Sequence, residues 1–110
     1  MAQCRFVESA VAISFRVCQT ELRAPSRRRA RVAFARQVAM YLAHVSFGLT
    51  YTDIGRCFDR DRTTVAHACR LVEDRRDAPS LDAALDYLEA AVRLRADGDL
   101  HPRAATRIFA

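Results

Sequence analysis

The chain has 110 residues, of which 51% are hydrophobic, and a formal net charge of +5 at pH 7. This length suits one compact domain and is too short for two ordinary ones, while the hydrophobic content argues against a disordered chain. Glycine and proline are scarce and alternating β-branched runs are absent, so we expect an all-α domain, without a signal peptide or a transmembrane helix.

The arginines are the most unusual part of the composition, because all 18 basic residues are arginine. Arginine suits phosphate and guanine, although a GC-rich genome would produce the same choice. No acid occurs between Leu22 and Thr52, whereas acids are frequent after Val72. The arginines of the acid-free stretch are Arg23, Arg27, Arg28, Arg29, Arg31 and Arg36. This division predicts one electropositive face that attracts DNA, with a solvated surface run as the alternative.

The four cysteines, Cys4, Cys18, Cys57 and Cys69, lie far apart and form no C-x-x-C pair. Zinc sites normally show close pairs of ligands, so we expect reduced thiols in a cytoplasmic protein, with no metal and no cofactor. No cysteine has a histidine and acid partner by motif, and no acid pair lies in a hydrolase setting. The sequence therefore predicts a protein that is not an enzyme.

The first half of the chain predicts two helices and a turn. The first helix runs from about Gln3 to Val17, and its apolar side consists of Val7, Ala10, Val11, Ser14 and Phe15. A helical turn at residues 20–22 places Leu22 in the core, and Pro25-Ser26 ends it. The basic run 27–31 then leads into a strong helix from about Val32 to Val45. Its core stripe is Val38, Tyr41, Leu42 and Val45, with Arg36 and Gln37 off that stripe, and Gly48 suits its end.

The centre of the chain predicts two helices joined by a tight turn. Thr50 is placed to cap a short helix that ends near Phe58, and Asp53 follows at the third helical position. Asp59-Arg60 makes the connection, and Asp61 caps the next helix, which runs to about Arg75 or Arg76. That helix has an apolar stripe of Val65, Ala68, Cys69 and Val72, and its polar positions are Arg62, Thr63, His67 and Arg70. Two helices so connected predict a helix-turn-helix that reads DNA.

A last helix is predicted to begin at Pro79-Ser80, with Ser80 as its cap, and to end at Gly98. Its buried side consists of Leu81, Ala84, Leu85, Leu88 and Val92. Residues 99–110 show no pattern. We therefore expect one domain over residues 1–98 and a C-terminal tail over residues 99–110.

Three blocks of this sequence resemble the C-terminal DNA-binding domain of the bacterial replication initiator DnaA. They are Arg27-Arg28-Arg29 leading to the segment 35–43, the segment 52–58, and the segment 60–70 followed by Glu73. The likeness covers about residues 5–77. It implies an all-α, DnaA C-terminal or Trp-repressor-like fold that reads a short A/T-rich box through both grooves.

The resemblance also implies roles for individual residues. Arg28 corresponds to a minor-groove arginine, Arg27 and Arg29 to backbone contacts beside it, and Arg36 and Gln37 to phosphate contacts. The major-groove set corresponds to Asp61, Arg62, Thr63, Thr64 and His67, and Thr52 completes the expected DNA contacts. A threonine methyl group can pack on a thymine methyl while its hydroxyl bonds a base or a phosphate.

The chain departs from the family pattern at three places. Arg62 replaces the usual histidine, the turn before Arg60 is one residue short with Asp59 in it, and Ala35 replaces a proline. Because arginine prefers guanine, the preferred box is expected to differ. The chain has no nucleotide-binding G-x-x-x-x-G-K-[ST] loop, so we expect a DNA-binding domain without the ATPase module.

These observations predict a sequence-specific double-stranded DNA-binding protein that regulates transcription or replication initiation at DnaA-box-like sites. The alternatives are an interaction module that binds an acidic protein partner, such as the initiator, and a phage or mobile-element mimic. A monomer, as in the DnaA domain, and a dimer, as in Trp-repressor-like proteins, both remain open. Arg56 and Arg70 remain open as phosphate contacts or plain surface residues, and Thr63 and Thr64 as base contacts or simple helix caps.

Overall fold

The computed structural model describes residues 2–24 and 30–96, up to residue 94 for side chains. This part of the chain forms six α-helices and no strand. They are α1 (Ala2–Phe15), α2 (Gln19–Arg23), α3 (Ala30–Phe47), α4 (Tyr51–Phe58), α5 (Arg62–Arg75) and α6 (Pro79–Ala96). The all-α prediction is confirmed.

Helix α3 is the central element, because all five other helices pack against it. Its predicted stripe is buried at Val38, Tyr41 and Leu42, whereas Val45 is only partly buried. Leu22 of the short α2 is fully buried, as the sequence predicts. Gly48 ends α3 in the left-handed region at φ +67°, where its N–H donates to the carbonyl of His44.

Some predicted positions of the core are wrong. Ser14 and Ala84 are exposed, although their spacing places both on the apolar side of their helices. Ser80 does not cap α6, since the helix already begins at Pro79, whose missing N–H suits a first helical position. The predicted stop at Gly98 and the tail 99–110 lie outside the described residues.

Arg76, at the end of α5, makes polar contacts with three acidic residues of the last helix. It bonds the carboxylates of Asp82 (2.6 Å), Asp86 and Glu89 (2.8 Å) on α6. It also donates to the hydroxyl of Tyr41 on α3, which in turn donates to Glu73 on α5 at 2.7 Å. Three helices therefore meet at this single guanidinium, which we call the Arg76 junction.

Candidate nucleic-acid interface

The starts of α4 and α5 are fixed by capping bonds that the sequence predicts correctly. Thr50 accepts a hydrogen bond from the N–H of Asp53 at 3.0 Å, and Asp61 accepts one from the N–H of Thr64 at 2.7 Å. These bonds satisfy N–H groups that the first turn of a helix leaves without partners. Bonds donated by Thr64 also lower the pKa of the Asp61 carboxyl below its ordinary value. Asp61 thus remains a charged cap at the start of α5.

Gly55 lets the turn approach α4 closely. The carbonyl of Gly55 accepts the N–H of Arg60 at 2.8 Å, and Asp59 turns the chain at φ 54°. A Cβ atom on Gly55 would lie 2.4 Å from the carbonyl oxygen of Arg60. Because that neighbour is backbone, no side-chain movement can relieve the clash. Residue 55 therefore fixes the geometry between the two helices of the motif.

Helix α5 has the two predicted faces. Its stripe of Val65, Ala68, Cys69 and Val72 is buried in the core. The residues at its polar end are exposed, and they are Asp61, Arg62, Thr63, Thr64 and His67. The threonines are therefore not packed inside, and the first two turns of α5 present donors, acceptors and methyl groups to the outside.

A groove between α3 and α5 adjoins this exposed end. It has a volume of about 270 Å³, and its lining includes Gln37, Thr64 and His67. Gln37 is half-buried there, and Thr52 is exposed on the first turn of α4. The structure thus places Gln37 of α3 beside Thr64 and His67 of α5 at one groove, whereas Thr52 is not part of its lining.

The prediction that Arg36 lies off the core stripe of α3 is wrong. Its side chain is only 5% exposed, and its guanidinium donates to the carbonyls of Leu22 (2.6 Å), Glu21 (3.0 Å) and Ala24 (3.1 Å). Those carbonyls end α2, where the helix dipole attracts a positive charge. We therefore leave Arg36 out of the phosphate contacts and treat it as part of the scaffold.

The predicted minor-groove arginines, Arg27, Arg28 and Arg29, lie outside the described residues. The chain on either side of them is fixed, by Arg36 at Ala24 and by Arg31 on α3. Arg31 donates to the carbonyls of Phe15 (3.0 Å) and Arg16 (3.0 Å) at the end of α1. The Arg31 guanidinium thus bonds carbonyls at the end of α1, as the Arg36 guanidinium does at the end of α2.

The sequence analysis gave no role to Arg60, which the structure makes prominent. Arg60 is partly buried, and it donates to the carbonyls of Phe58 (2.9 Å), Asp59 (3.3 Å) and Ala24 (3.1 Å). The only local signal was its place between a turn residue and a capping aspartate. Its bond to Ala24, 36 positions away, is a tertiary contact without any sequence signature.

Chemistry other than binding finds little support in the described part of the chain. No group of three or more His, Cys, Asp or Glu residues is placed to hold a metal ion there. The four cysteines are free thiols, and burial raises the pKa of Cys4 to about 12 and that of Cys69 to about 11. No described helix is long and apolar enough to cross a membrane.

The fold and this site define a helix-turn-helix module built on an all-α core. The family described as the bacterial dnaA protein helix-turn-helix matches residues 5–72, and the chain belongs to that family. The matched region is a helix-turn-helix domain rather than a catalytic one, and membership supports DNA binding.

Several curated relatives are similar to this chain, each a chromosomal replication initiator protein DnaA. That of Sphingopyxis alaskensis is 43% identical over 88 residues, which are 79% of this chain and 18% of the relative. That of Thermomicrobium roseum is 42% identical over 90 residues, which are 80% of this chain and 19% of the relative. The chain thus spans about a fifth of the length of the relatives it matches.

Proposed function

We propose that this protein binds duplex DNA with sequence preference by placing the N-terminal end of α5 in the major groove. The observation that carries the proposal is the exposed cluster of Thr63, Thr64 and His67 on a helix whose start is fixed by the Asp61 cap. A rigid helix end with hydroxyl, methyl and imidazole groups can distinguish base pairs in that groove. Gln37 lines the same groove as Thr64 and His67, and Gln37 and the exposed Thr52 are proposed to bind phosphate and to set the register of α5.

The proposed role is regulation of transcription or of replication initiation at DnaA-box-like sites, in the cytoplasm beside the nucleoid. Family membership and the similarity to replication initiators support this role. Arg62 is exposed at the start of α5, where an arginine would favour guanine. The preferred box is therefore expected to contain a guanine opposite Arg62.

Selection of bound duplexes from a random pool by the purified protein would identify the box. Fluorescence anisotropy would then compare Thr63→Ala and His67→Ala on that duplex and on a scrambled one. Loss of a base contact should weaken binding to the box by about 5- to 150-fold, with little change on the scrambled duplex. Thr20→Ala, which removes an exposed threonine from α2, is the matched control and should change neither affinity.

An equal loss on both duplexes would contradict base reading by α5. A selection that returns no common sequence would contradict sequence preference altogether and would favour the acidic-partner alternative.

Arg28 is proposed to read the minor groove, where narrow A/T-rich DNA has strong negative potential. Arg28→Ala should therefore weaken binding most when the flank of the box is A/T-rich. Binding to two duplexes that differ only in that flank would measure this, and the same loss on both would exclude a minor-groove role.

A further inference from the structure

Two arginines from different helical elements meet at one carbonyl oxygen. Arg36 of α3 and Arg60 of the α4–α5 turn each donate to the carbonyl of Ala24 at 3.1 Å. Arg36 also holds the carbonyls of Glu21 and Leu22, and Arg60 also holds those of Phe58 and Asp59. We call this arrangement the Ala24 clamp, because it ties the end of α2 to the turn that precedes α5.

The clamp joins two residues that are neighbours, along the sequence, of the two parts of the proposed DNA interface. On one side, Arg60 directly precedes Asp61, the cap of α5, and it lines the same groove as Thr64 and His67. On the other side, Ala24 is followed in the sequence by Pro25 and then by the basic segment 26–29. Whatever holds Ala24 in place therefore also fixes the described residue to which that segment is joined along the chain.

The link between the end of α2 and the α4–α5 turn depends strongly on the guanidinium groups of Arg36 and Arg60. Helix α2 has only five residues, so it has little helical stability of its own. The carbonyl of Glu21 accepts the N–H of Ala24 at 3.2 Å, but the end of so short a helix needs further donors from elsewhere. A planar guanidinium can hold several carbonyls at once in a fixed geometry, which a lysine ammonium does far less well.

We propose that Arg36 and Arg60 are positioning residues for DNA binding. They hold Ala24, which precedes the basic segment in the sequence, at a fixed position relative to the N-terminus of α5. They act through the carbonyls of α2 and not as phosphate ligands. This inference rests on the proposed function, because it assumes that the basic segment and α5 contact the same duplex.

The first test needs no DNA. Arg60→Lys keeps the charge but loses the planar fork, so native-state amide exchange over residues 21–24 should become at least about threefold faster while the core of α3 stays protected. Arg93→Lys is the matched control, because Arg93 donates to a backbone carbonyl at a distant site, that of Val45. Unchanged exchange in α2 of Arg60→Lys would show that no clamp operates.

The second test is a double-mutant cycle on DNA affinity. If the clamp positions the basic segment, Arg28→Ala should weaken binding to the box by about threefold less in the Arg60→Lys background than in the wild type. In the Arg93→Lys background Arg28→Ala should have its full effect. A role confined to fold stability would lower the melting temperature of Arg60→Lys but leave the two effects additive, which would overturn the proposal.

The third readout separates positioning from direct phosphate contact. If Arg60 bound phosphate, Arg60→Lys would retain part of the contact, and Arg60→Gln would lose more affinity and lower the slope of log K against log salt by about one. The proposal instead requires Arg60→Lys to bind about as weakly as Arg60→Gln, with an unchanged salt slope for Arg60→Lys because its charge remains.

These outcomes distinguish the clamp from the function on which it depends. A wild-type protein that ignores sequence would contradict the proposed function, whatever the exchange data show. Specific binding by the wild type together with an additive cycle would leave the function intact and overturn only the clamp.

Discussion

At the scale of single residues, the helix-turn-helix depends on positions where the backbone leaves no room. Gly55 is the sharpest of these, because the missing Cβ is what admits the Arg60 carbonyl. Elsewhere in a helix, alanine is more favourable than glycine. For Gly55→Ala, the steric clash lowers stability while the higher helix propensity of alanine raises it. The 2.4 Å contact makes the clash the larger effect.

We expect Gly55→Ala to lower the free energy of unfolding by roughly 1–3 kcal/mol, because the turn must move away from α4. It should also weaken binding to the box. Gly48→Ala is the control, since a Cβ there meets nothing within 4 Å and only the left-handed backbone disfavours it, by about 1 kcal/mol. Urea denaturation and anisotropy measure both effects. A Gly55→Ala protein as stable as the wild type would disprove the close packing of the turn.

Asp61 gives a prediction about pH. Its folded-state pKa is lowered by bonds from Thr64, so its contribution to stability is fully present above the unfolded pKa and is lost as the pH falls through the folded one. The stability difference between the wild type and Asp61→Asn should therefore shrink below about pH 4. Urea denaturation at pH 7, 5 and 3 measures it, and a difference independent of pH would refute the charged cap.

At the scale of helices, the sequence predicts well whatever depends on neighbours along the chain. The caps at Thr50 and Asp61, the left-handed stop at Gly48 and the apolar stripe of α5 are local patterns, and the structure confirms them. The sequence fails where distant helices meet. Arg36 has Val32, Ala39 and Met40 on its own face of α3, which indicates a buried position, but its carbonyl partners lie in another helix.

The Arg76 junction is a second tertiary feature that no local sequence pattern predicts. Three acidic residues of α6 converge on this guanidinium. Burial raises the pKa of Tyr41 to about 12, so its hydroxyl stays protonated and keeps donating to Glu73. The attachment of α6 thus depends on charge as well as on Leu85, Leu88 and Val92.

We expect Arg76→Met to lower the free energy of unfolding by roughly 1–3 kcal/mol. Two of the three carboxylates are substantially exposed, at 45% and 65%, so water screens part of the interaction. Arg56→Met should change stability by less than about 0.5 kcal/mol, because Arg56 is 75% exposed and makes one 3.8 Å pair with Asp53. Urea denaturation of the two variants measures the contrast, and equal effects would contradict a structural junction.

At the scale of the whole molecule, charge is divided unevenly along the sequence. Basic residues dominate before Thr52, whereas acids are frequent after Val72, at the end of α5 and along α6. The molecule measures 36 × 31 × 24 Å, and the Debye length is about 10 Å at 0.1 M salt and about 30 Å at 0.01 M. Acids at the far end of α5 therefore reach the proposed interface only at low salt.

We expect Asp77→Asn to speed association with DNA at about 0.01 M salt and to leave it unchanged at 0.15 M. Asp77 follows α5, whose 14 residues place it about 20 Å from Thr63. Stopped-flow anisotropy at the two salt concentrations measures this. An effect that persists at 0.15 M would mean that Asp77 is close to the duplex, against the proposed orientation of α5.

The acceptors of Arg31 and Arg60 have an electrostatic consequence. Both arginines donate to backbone carbonyls, which are dipoles without net charge. Arg76, on the acidic side, bonds to carboxylates and is neutralised by them. The Arg31 and Arg60 carbonyl contacts, in contrast, leave the guanidinium charge in place, and it adds to the field that attracts a polyanion. The same guanidinium groups therefore hold the scaffold together and contribute to the attraction of a polyanion.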